Sequence, residues 1–148
     1  MLFRSVVQRA AWVLSYSAMA HPILVQKHLG SLIHHLEQGK LHETAKRNTL
    51  KVFQEVEVPE EWLGALAGIC FNFLYHPTEA IANKAYSINI LVKICEKHPE
   101  LKAELLPLLK ELINHDSPAI LSCSKRGLKY LEKSLVDKRK DRVRKFIL

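Results

Sequence analysis

The sequence predicts an all-α protein of stacked helix pairs, and three observations carry that prediction. Glycine is scarce, at 5 of 148 residues, and Leu, Ala, Lys and Glu recur at helical spacing with no alternating β-branched runs. Pro22, Pro59 and Pro99 each follow an apolar segment and stand 37 and then 40 residues apart, the period of helix-pair repeats that stack on their neighbours. The segments KRNTLKVFQEV (46–56) and KAYSINILVKI (84–94) align without a gap at an offset of 38.

The first element, near 3–18, poses a question. It contains RAAWVLSYSAMAHP (9–22), an apolar run after Arg4 and Arg9 that closes on Ala18-Met19-Ala20, the outline of a secretory signal with a small-residue cleavage site. QRAAWVL (8–14), however, is in register with KRNTLKV (46–52) and runs to His21-Pro22 as the segment at 84–94 runs to His98-Pro99. The stretch is therefore read as a helix of the fold, not as a removable address. Val6, Val7, Ala10, Trp12, Val13 and Leu14 are expected to pack against the helix that starts at Pro22, with Trp12 in the core.

The next helix, 22–37, opens on Pro22, whose fixed φ suits a first helical turn. A turn with Gly39 leads to a helix over 42–56. PEEWLGALAGICFNFLYH (59–76) then parallels PELKAELLPLLKELINH (99–115), each an amphipathic segment that ends at a His; these predict helices over 60–75 and 100–114. Between and after them lie helices over 80–96, beyond Pro77, and 118–136, beyond Asp116-Ser117-Pro118. In each pair the first helix is termed A and the second B. SKRGLKYLEK (124–133) takes the B place in the third unit, with Gly127 as its weak point. One domain over 1–148 is expected, with repeats near 22–57, 58–97 and 98–136, a half-repeat helix at 3–18 before them and a basic tail at 137–148 after them.

This layout resembles the HEAT-repeat, or armadillo-like, family of α-solenoids, and is similar to small bacterial HEAT-like proteins. The family's turn and B-helix pattern, a small or acidic turn followed by Val-Arg-x-x-Ala, is matched by EAIANKA (79–85), with Ile81 and Ala85 in the hydrophobic places. Ala82 stands where the family has Arg, as does Leu121 in the third unit, so the family's Asp-Arg ladder between repeats is expected to be lost. The resemblance implies a right-handed α-α superhelix of about seven antiparallel helices, three and a half repeats. It also implies a scaffold surface and not an enzyme, with B helices lining the concave face.

On that face one register holds Gln8, Lys46 and Lys84, the next holds Arg9, Arg47 and Lys125, and Lys51, Asn89 and Lys129 follow about a turn later. The expected partner-binding stripe is Arg9, Lys46, Arg47, Lys51, Lys84, Asn89, Lys125 and Lys129, with Asn83 adding hydrogen bonds. It would suit an extended acidic partner, first of all a protein, and as an alternative the backbone of a nucleic acid. The same residues are equally compatible with the plain solvated faces of amphipathic helices. A third reading is a DNA glycosylase of the alkylation-repair type, which this layout also resembles. It requires an acidic residue beside aromatic ones in the groove, and Glu55 is the one acidic residue well inside an early B helix, while Trp62 is expected outside the groove.

The formal net charge of +7 divides as +3 over 1–57, −1 over 58–97, +1 over 98–135 and +4 over 136–148. The tail is thus the most basic part, but Asp137 and Asp141 interrupt it and it reads as a helical extension that keeps the end soluble. Apolar residues at 48% and charged residues at 25% exclude a mainly disordered chain, and no apolar stretch nears the roughly 20 residues that span a bilayer. There is no GxSxG, HExxH or P-loop, and HETAK (42–46) lacks the second His. His34, His35 and His42 are close in sequence, but adjacent helical residues point about 100° apart, so neither a metal nor a cofactor is expected. Cys70, Cys95 and Cys123 are read as buried free thiols, which suits a cytoplasmic setting. The edge of the opening helix, if left half covered, is a candidate homodimer surface.

Overall fold

The computed structural model describes residues 2–147, with side chains described for 5–134 and 136. Among these residues the chain is all helical: α1 (Leu2–Ala20), α2 (Pro22–Gln26), α3 (Leu29–Glu37), α4 (Glu43–Glu55), α5 (Glu60–Tyr75), α6 (Ile81–Lys97), a 3-10 turn (Pro99–Leu101), α7 (Lys102–Leu112) and α8 (Pro118–Ile147). They form two compact units, Met1–Ile90 and Leu91–Leu148.

Helix ends follow local rules. His21, His76 and His98 each precede a proline and have left the α region (ψ 73°, 116° and 77°), because the proline ring disfavours α geometry in the residue before it. His42 caps α4, its Nδ1 accepting from the Thr44 N–H at 3.3 Å, and Glu60 and Glu61 complement the positive end of α5. Gly39 takes φ +64° in the turn between α3 and α4, a conformation that a Cβ penalises.

In the first unit α1 lies along α4 and α3 along α5, so like helices of successive repeats are neighbours. Leu29, Ile33, Leu50, Phe53, Leu66 and Ile88 are fully buried there. The helix expected over 22–37 is broken at Lys27-His28, where the His28 N–H bonds back only to Val25 O. The break re-aims the chain so that Gly30 meets the Trp62 ring, where a Cβ would sit 2.6 Å from Cζ2. In the second unit α7 packs against α8, with Leu105, Leu109, Ile120 and Leu131 fully buried. The helix expected over 100–114 opens instead as the 3-10 turn and carries Pro107 inside α7.

α1 corrects one expectation. Among its described side chains the buried ones are Ser15 and Ala18, whereas Trp12, Val13 and Leu14 are all more than half exposed. Its close approach to α4 is made with small side chains, which turns the larger ones outward. Trp12 is not a core residue.

Candidate interaction site

The B-helix stripe divides once its residues are placed. Lys46 belongs to an internal network: its ammonium donates to Glu43 Oε1 at 2.7 Å and to both Glu79 oxygens at 3.1 and 3.2 Å. Asn83 is fully buried and its Nδ2 donates to Glu79 Oε1 at 2.5 Å and Glu43 Oε2 at 3.0 Å, so it has no surface from which to bind a partner. Burial opposes the charge on Lys46, but the hydrogen bonds and charges of Glu43 and Glu79 outweigh it and raise its pKa above the ordinary lysine value. Burial likewise opposes a charged Glu79, yet hydrogen bonds from Asn83 and Lys46, the Lys46 charge and the Ala80 N–H hold its pKa below that of an ordinary carboxylate.

Lys84 is buried, and Asn89 donates to Gln54 Oε1 at 3.0 Å. The Asn89 bond ties α6 to α4. Lys125 and Lys129, one turn apart on α8 in the second unit, are exposed. Residues 137–147 of the basic tail lie on the last part of α8, while Leu148 and the side chains of the tail fall outside the described residues.

Arg9, Arg47 and Lys51 come together differently. Arg9 and Trp12, three positions apart on α1, face Arg47 on α4 across an open cleft of about 340 Å³ lined by Gln8, Arg9, Trp12, Thr44, Arg47 and Asn48. Both arginines and Trp12 are exposed. Tyr16, one turn beyond Trp12, lies against it with ring centroids 4.8 Å apart and the ring planes tilted by 58°. Lys51, one turn beyond Arg47, holds its ammonium 4.4 Å from the centre of the Tyr16 ring, a cation-π contact that fixes the aromatic pair. The result is two cations flanking an aromatic platform with no carboxylate in the lining, an arrangement that attracts an anionic group and offers it an apolar neighbour.

The aromatic contribution was not visible in the sequence, where Trp12 fits a core stripe. Its signal is relational: Trp12 and Tyr16 sit four apart, on a flank of α1 roughly 110° around from Ala11, Ser15 and Ala18. Glu55 is exposed at the last residue of α4 and does not line the cleft, so the aromatic and acidic residues required for base excision are not assembled there. A second depression, about 690 Å³ and lined by Lys27, His34, His35, Glu61 and Trp62 among others, has mixed charge; Trp62 indeed lies away from the α1–α4 cleft. Among the described residues no three His, Cys, Asp or Glu side chains form a metal-binding group, and no helix is long and apolar enough to cross a membrane.

The architecture has its counterpart in a known family, since the family model of the HEAT repeat domain matches residues 4–131. The chain belongs to the HEAT-repeat domain family. The match takes in α1 from its third residue onward, so this HEAT domain includes the opening helix. No curated protein and no solved structure matches the chain. HEAT-repeat domains are generally non-enzymatic interaction and scaffold modules.

Proposed function

We propose that this HEAT domain is a scaffold module that binds an acidic stretch of a partner protein in the α1–α4 cleft, without metal or cofactor. The observation that carries the reading is the pair of exposed arginines, Arg9 and Arg47, on neighbouring helices beside exposed Trp12 with no lining carboxylate. Lys51 adds charge, and Gln8 and Thr44 supply hydrogen-bonding groups at the rim. In the second unit Lys125 and Lys129 offer a further basic face of their own. A cytoplasmic setting is part of this reading, because Cys70, Cys95 and Cys123 are buried and unbridged.

Single-stranded nucleic acid is the second reading, favoured by the interleaving of Trp12 and Tyr16 with Arg9, Arg47 and Lys51, since bases stack on aromatic rings beside cations. Fluorescence anisotropy of labelled oligoglutamate, single-stranded DNA and duplex DNA at about 50 and 200 mM salt separates the two. Binding of oligoglutamate that is lost in Arg9→Glu and Arg47→Glu supports the protein-partner reading. Tighter binding of DNA, falling steeply with salt, replaces it with the nucleic-acid reading. No binding of any probe at the lower salt removes both.

A further inference from the structure

α1 has two opposed long faces. One, through Ala11, Ser15 and Ala18, is turned into the fold. The other carries Val6, Ala10, Val13, Ser17 and Ala20, every one exposed, with Val6 at 59% and Val13 at 53%. These residues are separated by alternating steps of four and three, the spacing of the seam along which one helix of a coiled coil meets another. Arg9 and Tyr16 flank the seam on the cleft side, each one residue before a seam position, and Leu14, 68% exposed, flanks it on the other. Ile23 and Leu24 on α2, which packs against α1, are exposed as well. A helix with apolar residues on both sides gains from the second one only when something covers it.

We infer that a helix of the partner protein docks along this outer face of α1. Resting on the reading of the cleft as a site for an acidic partner, the inference gives that partner a conformation and a pattern: amphipathic, with apolar residues toward Val6 and Val13 and carboxylates along the edge that meets Arg9 and Arg47. Charge decides between occupants. α1 carries Arg4 and Arg9 and no acidic residue, so a second α1 laid against it would bring no carboxylate to answer Arg9. Tyr16 is already engaged by Lys51 and is not free to receive an arginine from a second copy. A helix edged with Glu or Asp meets Arg9, Arg47 and Lys51 with opposite charge. Ala10, Ser17 and Ala20 are small enough to admit larger partner side chains such as Leu between Val6 and Val13, so that the two surfaces interdigitate.

The test uses two fluorescein-labelled peptides of about 21 residues, three heptads. The first has Leu at the seam positions and Glu at the flanking positions, whose mutual repulsion also keeps the peptide from pairing with itself. The second has the same composition, scrambled so that Leu no longer shares one face. Anisotropy is read with the full chain, its Val13→Lys variant and its Arg9→Glu variant, with circular dichroism to confirm that each variant keeps its helix content. The patterned peptide is expected to bind at least about tenfold more tightly than the scrambled one, and Val13→Lys to remove that advantage, while Arg9→Glu weakens both. Equal binding of the two peptides, or indifference to Val13→Lys, overturns the helix-docking inference and leaves the cleft reading standing if Arg9→Glu still weakens both. Failure of both peptides to bind removes the two together. A dimeric mass by light scattering that Val13→Lys converts to monomer assigns the face to a second copy and overturns the inference as stated.

Discussion

Lys46 Nζ lies 3.1 and 3.2 Å from the two carboxylate oxygens of Glu79, a residue 33 positions further along the chain. The pair joins the first turn of α4 to the turn that leads into α6, and Asn83 and Glu43 complete the contact on either side. HEAT repeats commonly link successive B helices with an Asp-Arg ladder. By the resemblance of 79–85 to the family pattern Ala82 falls at the arginine's place; in this chain a Lys-Glu-Asn network links α4 to α6.

Removing one partner of this network is expected to cost more than the pair contributes, because the other is left covered and uncompensated. Glu79→Gln and Lys46→Met should each lower stability by about 1 to 3 kcal/mol in urea titrations, and the double variant by less than the sum. The pH dependence follows from the lowered Glu79 pKa. Its contribution is complete above the ordinary value of 4.5 and is lost as pH falls through that value toward the lower folded pKa, so Glu79→Gln should flatten this part of the acid titration.

Two glycine substitutions should have opposite signs. Gly30→Ala would place a Cβ 2.6 Å from Trp62 Cζ2 and should destabilise by about 1 to 3 kcal/mol through overpacking. Gly64 lies inside α5 with nothing within 4 Å of a built Cβ, so Gly64→Ala should stabilise by about 0.5 to 1 kcal/mol from helix propensity. Thermal denaturation of both variants, with Gly30→Ala repeated on a Trp62→Leu background to relieve the clash, checks the assignment.

Burial pushes the Cys70 thiol up to about 12 against an ordinary 9.0, with the Ser87 hydroxyl opposing the shift. The folded protein should therefore react with thiol reagents at Cys70 only through opening. Because the unfolded chain ionises first, stability should be intact below pH 9 and fall by about 1.4 kcal/mol per pH unit from there toward the folded value. Cys70→Ala should remove its share of that alkaline slope.

Arg47 and Lys84 separate binding from folding. Arg47 is exposed at the cleft, so Arg47→Glu should change stability by no more than about 0.5 kcal/mol while weakening oligoglutamate binding. Lys84 is buried, and Lys84→Glu, which is shorter and carries the opposite charge, should cost about 2 kcal/mol. Urea titration and anisotropy on the same preparations test the contrast.

Much of the fold was readable from residues that act locally. Pro22, Pro59, Pro77 and Pro99 constrain the residue before them, so the breaks around the helices are written into neighbouring positions, and the 38-residue register of 46–56 with 84–94 identified α4 and α6 as equivalent. The break at Lys27-His28 was not readable, since neither residue is a proline or glycine that would mark it, and the contact of Gly30 with Trp62 beyond it is made with another helix. Nor could periodicity say which side of α1 is buried: Trp12, Val13 and Leu14 fit a core stripe as well as an outer one, and the small residues that pack on α4 leave them outside. The stripe of cations divides for the same reason. Lys46 and Arg47 are adjacent, but side chains about 100° apart on a helix have different neighbours. The sequence alone determined that both residues lie on one B helix; only the tertiary structure, by bringing Glu79 to one and Arg9 to the other, decided that Lys46 holds the repeats together and that Arg47 faces the cleft.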